Sequence, residues 1–180
     1  MKVIGLNASP RVNGNSDIFL DKVLKGASDN GAEVAKFYLD KLNIEPCHAC
    51  EHCGDGIDCK NNDDGNMLLD EILSADAIVF SSPIYYGQMS AQGKTFTDRF
   101  YSISRNSQKS LEGTKSVLLF AQGAPAGTYD QYIELTKASP FSYVGMDVID
   151  TLTAGDIHES GEIKENTEIL DKAYEIGKSL

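Results

Sequence analysis

Apolar runs and helical periodicities alternate along this chain, and that alternation restricts its possible folds more than any other feature. Val3, Ile4 and Leu6 open the first run, and Val34, Ala35, Phe37 and Leu39 form the second. Ala77 to Phe80, Lys115 to Ala121 and a segment within Val144 to Thr153 supply three more. Between the runs, apolar residues recur at three- and four-residue intervals, the signature of helices with one buried face. Phe19, Leu20, Val23, Leu24 and Ala27 mark a helix over 16–29, and Leu68, Leu69, Ile72 and Leu73 mark one over 64–74. Phe96, Phe100 and Ile103 share a face of the next helix, a helix over 128–139 stops at Pro140, and Ile169, Leu170, Ala173, Ile176 and Leu180 line the last. A strand-helix unit repeated in this way predicts an α/β fold, with a parallel sheet covered by helices on both faces. Apolar density makes strands one, three and four central, which fits the order 2-1-3-4-5. Ligands in that topology bind past the carboxyl ends of strands one and three. Lys36 in the second run marks it as a sheet edge.

Three polar loops follow the central strands. In the first, VIGLNASPRVNGNS (Val3 to Ser16), an apolar strand gives way to Ser9, Arg11, Asn13, Gly14, Asn15 and Ser16, and a helix begins directly. The first amides of a helix have no partner inside it and the helix dipole favours negative charge there, so this junction suits a phosphate. Gly14 allows a positive φ in the turn, and Arg11 can neutralise or cover an anion. The plainer reading is a strand-loop-helix connection capped by Ser16. The second loop spans Ser81 to Arg99, with Pro83 and Gly87 bracketing two tyrosines, and the third spans Gln122 to Gly127. Lys94 and Arg99 read as helix-surface charges, with Asp98 and Arg99 paired, and His158 reads as a surface residue.

The net charge of −11 excludes nucleic acid as a partner, because phosphate contacts need clustered Lys and Arg. No apolar run approaches the roughly 20 residues that span a bilayer, so no membrane is expected, and the sequence reads as cytoplasmic. All four cysteines fall between residues 47 and 59, inside a polar stretch over 40–64. A disulfide scaffold would spread them, so the cluster points to a metal or redox site. The spacing is Cys47-x2-Cys50-x2-Cys53-x5-Cys59. Three thiolates at such gaps can wrap one face of an iron-sulfur cubane and a fourth can close it, although the last gap exceeds that of ferredoxin runs and no proline follows Cys59. Four-cysteine zinc is the alternative, with His48 and His52 as further candidate ligands, and free thiols or a disulfide are a third reading.

Ser9-Pro10-Arg11 with Gly14-Asn15-Ser16, and Ser82-Pro83-Ile84-Tyr85-Tyr86-Gly87-Gln88 with Lys94 and Asp98-Arg99 downstream, together resemble the flavodoxin-like NADPH-dependent FMN reductases. The resemblance spans nearly the whole chain. It implies a flavodoxin-like three-layer sandwich around a five-stranded parallel sheet, one domain over 1–180 with a Cys-rich insertion at about 43–64. It implies that Ser9, Arg11, Asn13, Asn15 and Ser16 hold the FMN phosphate. Pro83, Ile84, Tyr85, Tyr86, Gly87 and Gln88 would meet the flavin ring, and Gln122 and Gly123 would lie on another side of it. FMN would carry the chemistry, so no protein acid or base is expected. The cysteine spacing resembles the iron-sulfur flavoproteins of that family, which implies a [4Fe-4S] cluster on Cys47, Cys50, Cys53 and Cys59 that exchanges electrons with FMN. A ferredoxin-like protein or NAD(P)H as donor, a small-molecule acceptor, and a homodimer or homotetramer are implied likewise. The alternative is an NAD(P)H-dependent FMN or quinone reductase without a cluster, its cysteines holding zinc or remaining free. A phosphoacceptor domain of the same topology is disfavoured, because the first strand ends in Asn7-Ala8-Ser9 without an acidic cluster.

Overall fold

The structure, a computed structural model, describes residues 1–54 and 56–180; Asp55, within the expected insertion, lies outside the described residues. The strands are β1 (Lys2–Asn7), β2 (Glu33–Tyr38), β3 (Ala77–Tyr85), β4 (Gln88–Met89), β5 (Lys115–Ala121) and β6 (Asp147–Ala154). All but β4 form a parallel sheet in the order β2-β1-β3-β5-β6, which is the expected 2-1-3-4-5 once the short β4 is set aside. The helices are α1 (Asn15–Asp29), α2 (Asp64–Leu73), α3 (Ala91–Asp98), α4 (Tyr101–Ser104), α5 (Asp130–Thr136) and α6 (Thr167–Ser179).

Successive residues of a strand face opposite sides of the sheet, so the core divides in two. Val3, Val79, Val117 and Leu119 are buried on one side with Phe19, Leu20 and Val23 of α1 and Leu170 and Ala173 of α6. Ile4, Ile78, Phe80, Leu118 and Phe120 are buried on the other with Leu68, Phe96, Phe100 and Phe141. Each of these Val, Leu, Ile and Phe side chains contributes about 1.5–3 kcal/mol by leaving water. β2 is the edge that Lys36 foretells, and the lysine's ammonium lies between Asp17 and Asp21.

Several boundaries differ from expectation. β3 runs on through Ser81 and Pro83 to Tyr85, where a loop was expected. β1 ends opposite Ser81, so the later residues of β3 need no ladder bonds on that side and a proline is tolerated. α5 ends at Thr136, short of Pro140, because Ser139 is extended (φ −147°), as the residue before a proline tends to be. α1 begins at Asn15, with Gly14 rather than Ser16 in the cap position.

Arg99 reverses its expected role. It is the bulkiest fully buried side chain, 1% exposed, and it pairs with Asp63 rather than Asp98. Asp98 instead pairs with Lys94 one helical turn away. Nη1 of Arg99 donates to Asp63 Oδ2 at 2.7 Å and to the Glu45 carbonyl at 3.0 Å, and Nη2 donates to Asn66 Oδ1 at 2.8 Å. The end of α3 therefore grips both flanks of the cysteine segment. Burial pushes the Asp63 carboxyl up, but the Arg99 guanidinium and the Glu45 and Gly65 amides outweigh it and hold the carboxyl below its usual range.

Two predictions follow from this packing. α1 and α6 touch backbone to backbone: a Cβ on Gly177 would stand 2.0 Å from the Val23 carbonyl oxygen, and one on Gly26 would stand 2.1 Å from that of Tyr174. Helix propensity favours alanine over glycine by about 1 kcal/mol, yet no rotamer relieves a clash with backbone. Gly177→Ala should therefore destabilise the protein, by about 2 kcal/mol in urea unfolding. Asp63→Asn leaves a buried guanidinium without its counter-charge and should cost about 3 kcal/mol at neutral pH. The stability due to the lowered Asp63 pKa is present above the unfolded carboxylate value of about 4 and is lost as pH falls through the folded one. The gap between variant and wild type should accordingly narrow in unfolding curves recorded below about pH 4.

Candidate functional site

The carboxyl ends of β1, β3 and β5 open onto a cleft lined by Ser9, Arg11, Asn15, Ser16, Pro83, Ile84, Tyr85, Ala121, Gln122, Gly123, Ile157 and His158. Nine of the residues expected around a flavin thus meet in one place, although their segments are far apart in sequence. Asn13, Tyr86, Gly87 and Gln88 do not line it.

The β1–α1 loop is held in shape from below. Asp17, 1% exposed, accepts hydrogen bonds from Asn7 Nδ2 (3.0 Å), the Asn13 amide (2.6 Å) and Tyr38 Oη (3.2 Å), and its carboxylate pairs with Lys36. Burial alone would lower the Lys36 pKa, but its bonds to Asp17 and Asp21 raise it well above the ordinary lysine value. A carboxylate beneath an anion site would repel the anion, and this fixed ammonium cancels that charge. Ser9 accepts the Arg11 amide on its hydroxyl (3.1 Å) and donates its own amide to Asn7 Oδ1 (2.9 Å). The positive φ expected at Gly14 falls on Asn13 (58°). Gly14 is extended and serves close approach instead, since a Cβ there would lie 2.9 Å from Arg11 Cβ. The first bond into α1 runs from the Ile18 amide to the Gly14 carbonyl, and no side chain caps the helix. Among the described residues, the amides of Asn15, Ser16 and Asp17 take no partner. The Asn15 side chain is already engaged, donating to the Glu159 carbonyl (2.8 Å) and accepting the Ile163 amide (3.2 Å). Its contribution to the cleft is its backbone.

On the other wall, β3 and β4 form a hairpin whose two turn residues, Tyr86 and Gly87, have φ of 50° and 80°. Such a turn matches the strands' twist. It aims Tyr86 fully into solvent and leaves Tyr85 at the cleft. The far side is the β5 loop, where Gln122 Nε2 donates to the Pro125 carbonyl (2.7 Å) and the Gln122 carbonyl accepts the Ile157 amide (3.1 Å). That last bond draws the loop after β6 to the rim and brings His158, exposed as expected of a surface residue, into the lining. The available signal was position: Gly155 to His158 follows the fifth strand as the other site loops follow theirs.

The four cysteines are free, Cys53 buried and Cys47 and Cys50 exposed. Ala49 and Glu51, on either side of Cys50, have φ of 50° and 55°, and Gly56 has 74°, so the chain coils tightly between thiols. Among the described residues, no three His, Cys, Asp or Glu side chains converge closely enough to hold a metal ion. Burial first, and then charge on Cys59, Cys47 and Cys50, push the Cys53 thiol up. His48 lies on the surface, near Glu45 at 3.7 Å. In donor chemistry the set suits a thiophilic metal or cluster.

Buried polar atoms normally find partners. Among the described residues three buried side-chain polar atoms do not: Arg99 Nε, Gln122 Oε1 and Thr151 Oγ1. Arg99 adjoins the cysteine segment and Gln122 lines the cleft.

Comparison with known proteins agrees with this arrangement. The family described as NADPH-dependent FMN reductase matches residues 1–154. An iron-sulfur flavoprotein of Archaeoglobus fulgidus is 31% identical over 100% of this chain and 79% of its own length. One of Methanocaldococcus jannaschii is 35% identical over 55% of this chain and 51% of its own length. The solved structure of an NAD(P)H:quinone oxidoreductase from Methanothermobacter marburgensis superposes with a TM-score of 0.78 at 19% identity, covering 99% of this chain and 98% of the other, which bears on the fold. No helix among the described residues is long and apolar enough to cross a membrane. The chain belongs to the NADPH-dependent FMN reductase family and is, with that family, a flavin-dependent oxidoreductase.

Proposed function

We propose that this protein is an iron-sulfur flavoprotein that passes electrons between a [4Fe-4S] cluster on Cys47, Cys50, Cys53 and Cys59 and an FMN in the cleft. The observation that carries the reading is the meeting of nine expected flavin residues in one cleft, in a chain that holds four free cysteines on a separate segment. Supporting it are the free amides at the start of α1, the four unpaired thiols, and the iron-sulfur flavoproteins named among the relatives.

When bound, a flavin supplies both one- and two-electron chemistry, which suits it to couple a single-electron cluster to a small-molecule acceptor. The chain's part is to bind and orient. The amides of Asn15, Ser16 and Asp17, the Ser9 and Ser16 hydroxyls and the Arg11 guanidinium would take the phosphate, with Lys36 cancelling the charge of Asp17 below. Pro83 to Tyr85 offers a flat, largely apolar wall for the ring, and Tyr86, Gly87 and Gln88 would meet it only at the hairpin tip. Gln122 Oε1 would accept from a ring N–H. Gly123 keeps the opposite wall open, since a Cβ there would meet the His158 ring at 3.2 Å. The donor would be a ferredoxin-like protein or NAD(P)H. Tyr86, wholly exposed at the hairpin tip, fits a homodimer or homotetramer in which a second copy covers the cleft.

A second reading, an NAD(P)H-dependent FMN or quinone reductase whose cysteines hold zinc or nothing, is supported by the family that matches residues 1–154. Cys50→Ser separates the two. On the cluster reading, the variant purified without oxygen loses most of its iron and acid-labile sulfide while keeping wild-type FMN content, because the thiols and the cleft are separate loops. Equal iron in variant and wild type would contradict the assignment of Cys50, and a wild type that holds zinc or no metal would establish the simple reductase.

A further inference from the structure

Beyond Pro83, which pairs with Ala121 of β5, the hairpin of β3 and β4 leaves the sheet. β1 has already ended opposite Ser81, and among the described residues β4 pairs with β3 alone. A two-stranded hairpin standing free is at best marginally stable in water. This one supplies Ile84 and Tyr85 to the cleft, so whatever anchors it decides where that wall stands. Its base is tied by two buried serines: the Ser90 amide donates to Ser82 Oγ (3.1 Å), and Ser90 Oγ donates to the Ala8 carbonyl (2.6 Å). Nearer the tip the anchor is α5. Around the two-residue turn, Tyr85 and Gln88 are the pair that exchanges hydrogen bonds, and Ile84 and Met89 are the next pair, whose amides point away from each other. The Met89 amide therefore needs an outside acceptor, since Met89 is only 7% exposed, and it finds Tyr132 Oη at 2.8 Å. Three residues earlier, the Tyr129 ring lies 3.5 Å from where a Cβ on Gly87 would stand.

The segment leading into α5 shapes the opposite wall. The Pro125 carbonyl accepts Gln122 Nε2 (2.7 Å), the Thr128 amide (3.2 Å) and Thr128 Oγ1 (2.7 Å), so Gln122 and the start of α5 share one acceptor. We infer that Tyr132, which does not itself line the cleft, is a positioning residue for flavin binding: by holding the Met89 amide, its hydroxyl fixes the wall of Ile84 and Tyr85 against which the ring binds. The inference rests on the FMN site proposed above and adds a residue that acts on it through Met89 and Ile84. Without the hydroxyl a buried amide is left unpaired, and the hairpin relieves that cost by swinging toward water. The share of molecules with the wall in place then falls, and the apparent affinity for the ring falls in proportion. The phosphate loop has its own anchor at Asp17 and does not share the loss.

Tyr132→Phe keeps the aromatic ring and removes only the hydroxyl. Flavin-free variant and wild type are titrated with FMN and with riboflavin, which lacks the phosphate, and binding is followed by flavin fluorescence. Both dissociation constants should rise by the same factor, roughly tenfold, because the lost anchor serves the ring wall and not the phosphate. In an Ile84→Ala background the same substitution should change FMN affinity far less, since the wall that it positions is already cut away. A purely structural role for Tyr132 would lower the unfolding midpoint and leave the constants of folded protein unchanged. That result, a loss confined to FMN, or an undiminished effect in the Ile84→Ala background would each overturn the inference. If the variant does not fold, hydrogen exchange of wild type decides. The Met89 amide should be protected and gain protection with FMN, and one that exchanges as freely as the amides of Tyr86 and Gly87 would overturn the inference. A wild type that binds neither flavin would overturn the flavin site itself.

Discussion

A carboxylate taken out of water costs several kcal/mol unless a cation and hydrogen-bond donors meet it, and this chain accepts that cost twice. Asp17 sits under the β1–α1 loop and is met by Lys36, Asn7, Tyr38 and the Asn13 amide. Asp63 sits under the cysteine segment and is met by Arg99 and the amides of Glu45 and Gly65. Both carboxylates belong to the first turn or cap of a helix, where the dipole adds to their stabilisation. Removing either cation would leave a charge unpaired in the interior, so each loop has a steep preference for one conformation. The two loops that carry the polar chemistry are thereby the two with buried ionic anchors.

The sheet supplies the rest of the positioning. Parallel strands all deliver their following loops to one edge, so residues near 10, 84, 122 and 158 meet although the chain separates them widely. The cysteine segment joins the sheet's other apolar face, where α2 and α3 lie, and Arg99 links it there. Cleft and thiols are consequently held by different elements, which is what two centres in one chain require if each is to be set independently.

Much of this was legible in the sequence. Period-two and period-3.6 patterns delivered strands and helices in order, and apolar density delivered the sheet order, because burial on both faces leaves a mark at every position of a central strand. The cleft was legible for a topological reason, since the loops after strands one, three and four must converge. Arg99 was not legible. Its neighbours Lys94, Asp98 and Tyr101 are on exposed faces, and only the return of Asp63 and Asn66 from over thirty residues away makes its position an interior one. The exposed His158 was read as a surface residue, but its place at the cleft was not legible, because a single backbone bond from Ile157 to Gln122 decides that its loop turns there. Gly14 shows a subtler miss, since composition revealed that a glycine was needed but not whether for φ or for proximity to Arg11.

The central claim is that one chain holds two redox centres, and elemental and flavin analysis of wild-type protein purified without oxygen tests it most directly. The account predicts about four irons and four acid-labile sulfides per chain, as a [4Fe-4S] centre on four thiolates requires, together with one FMN. Flavin accompanied by zinc or by no metal would contradict the cluster. Protein that takes up no FMN even on reconstitution would contradict the cleft, and with it the whole account.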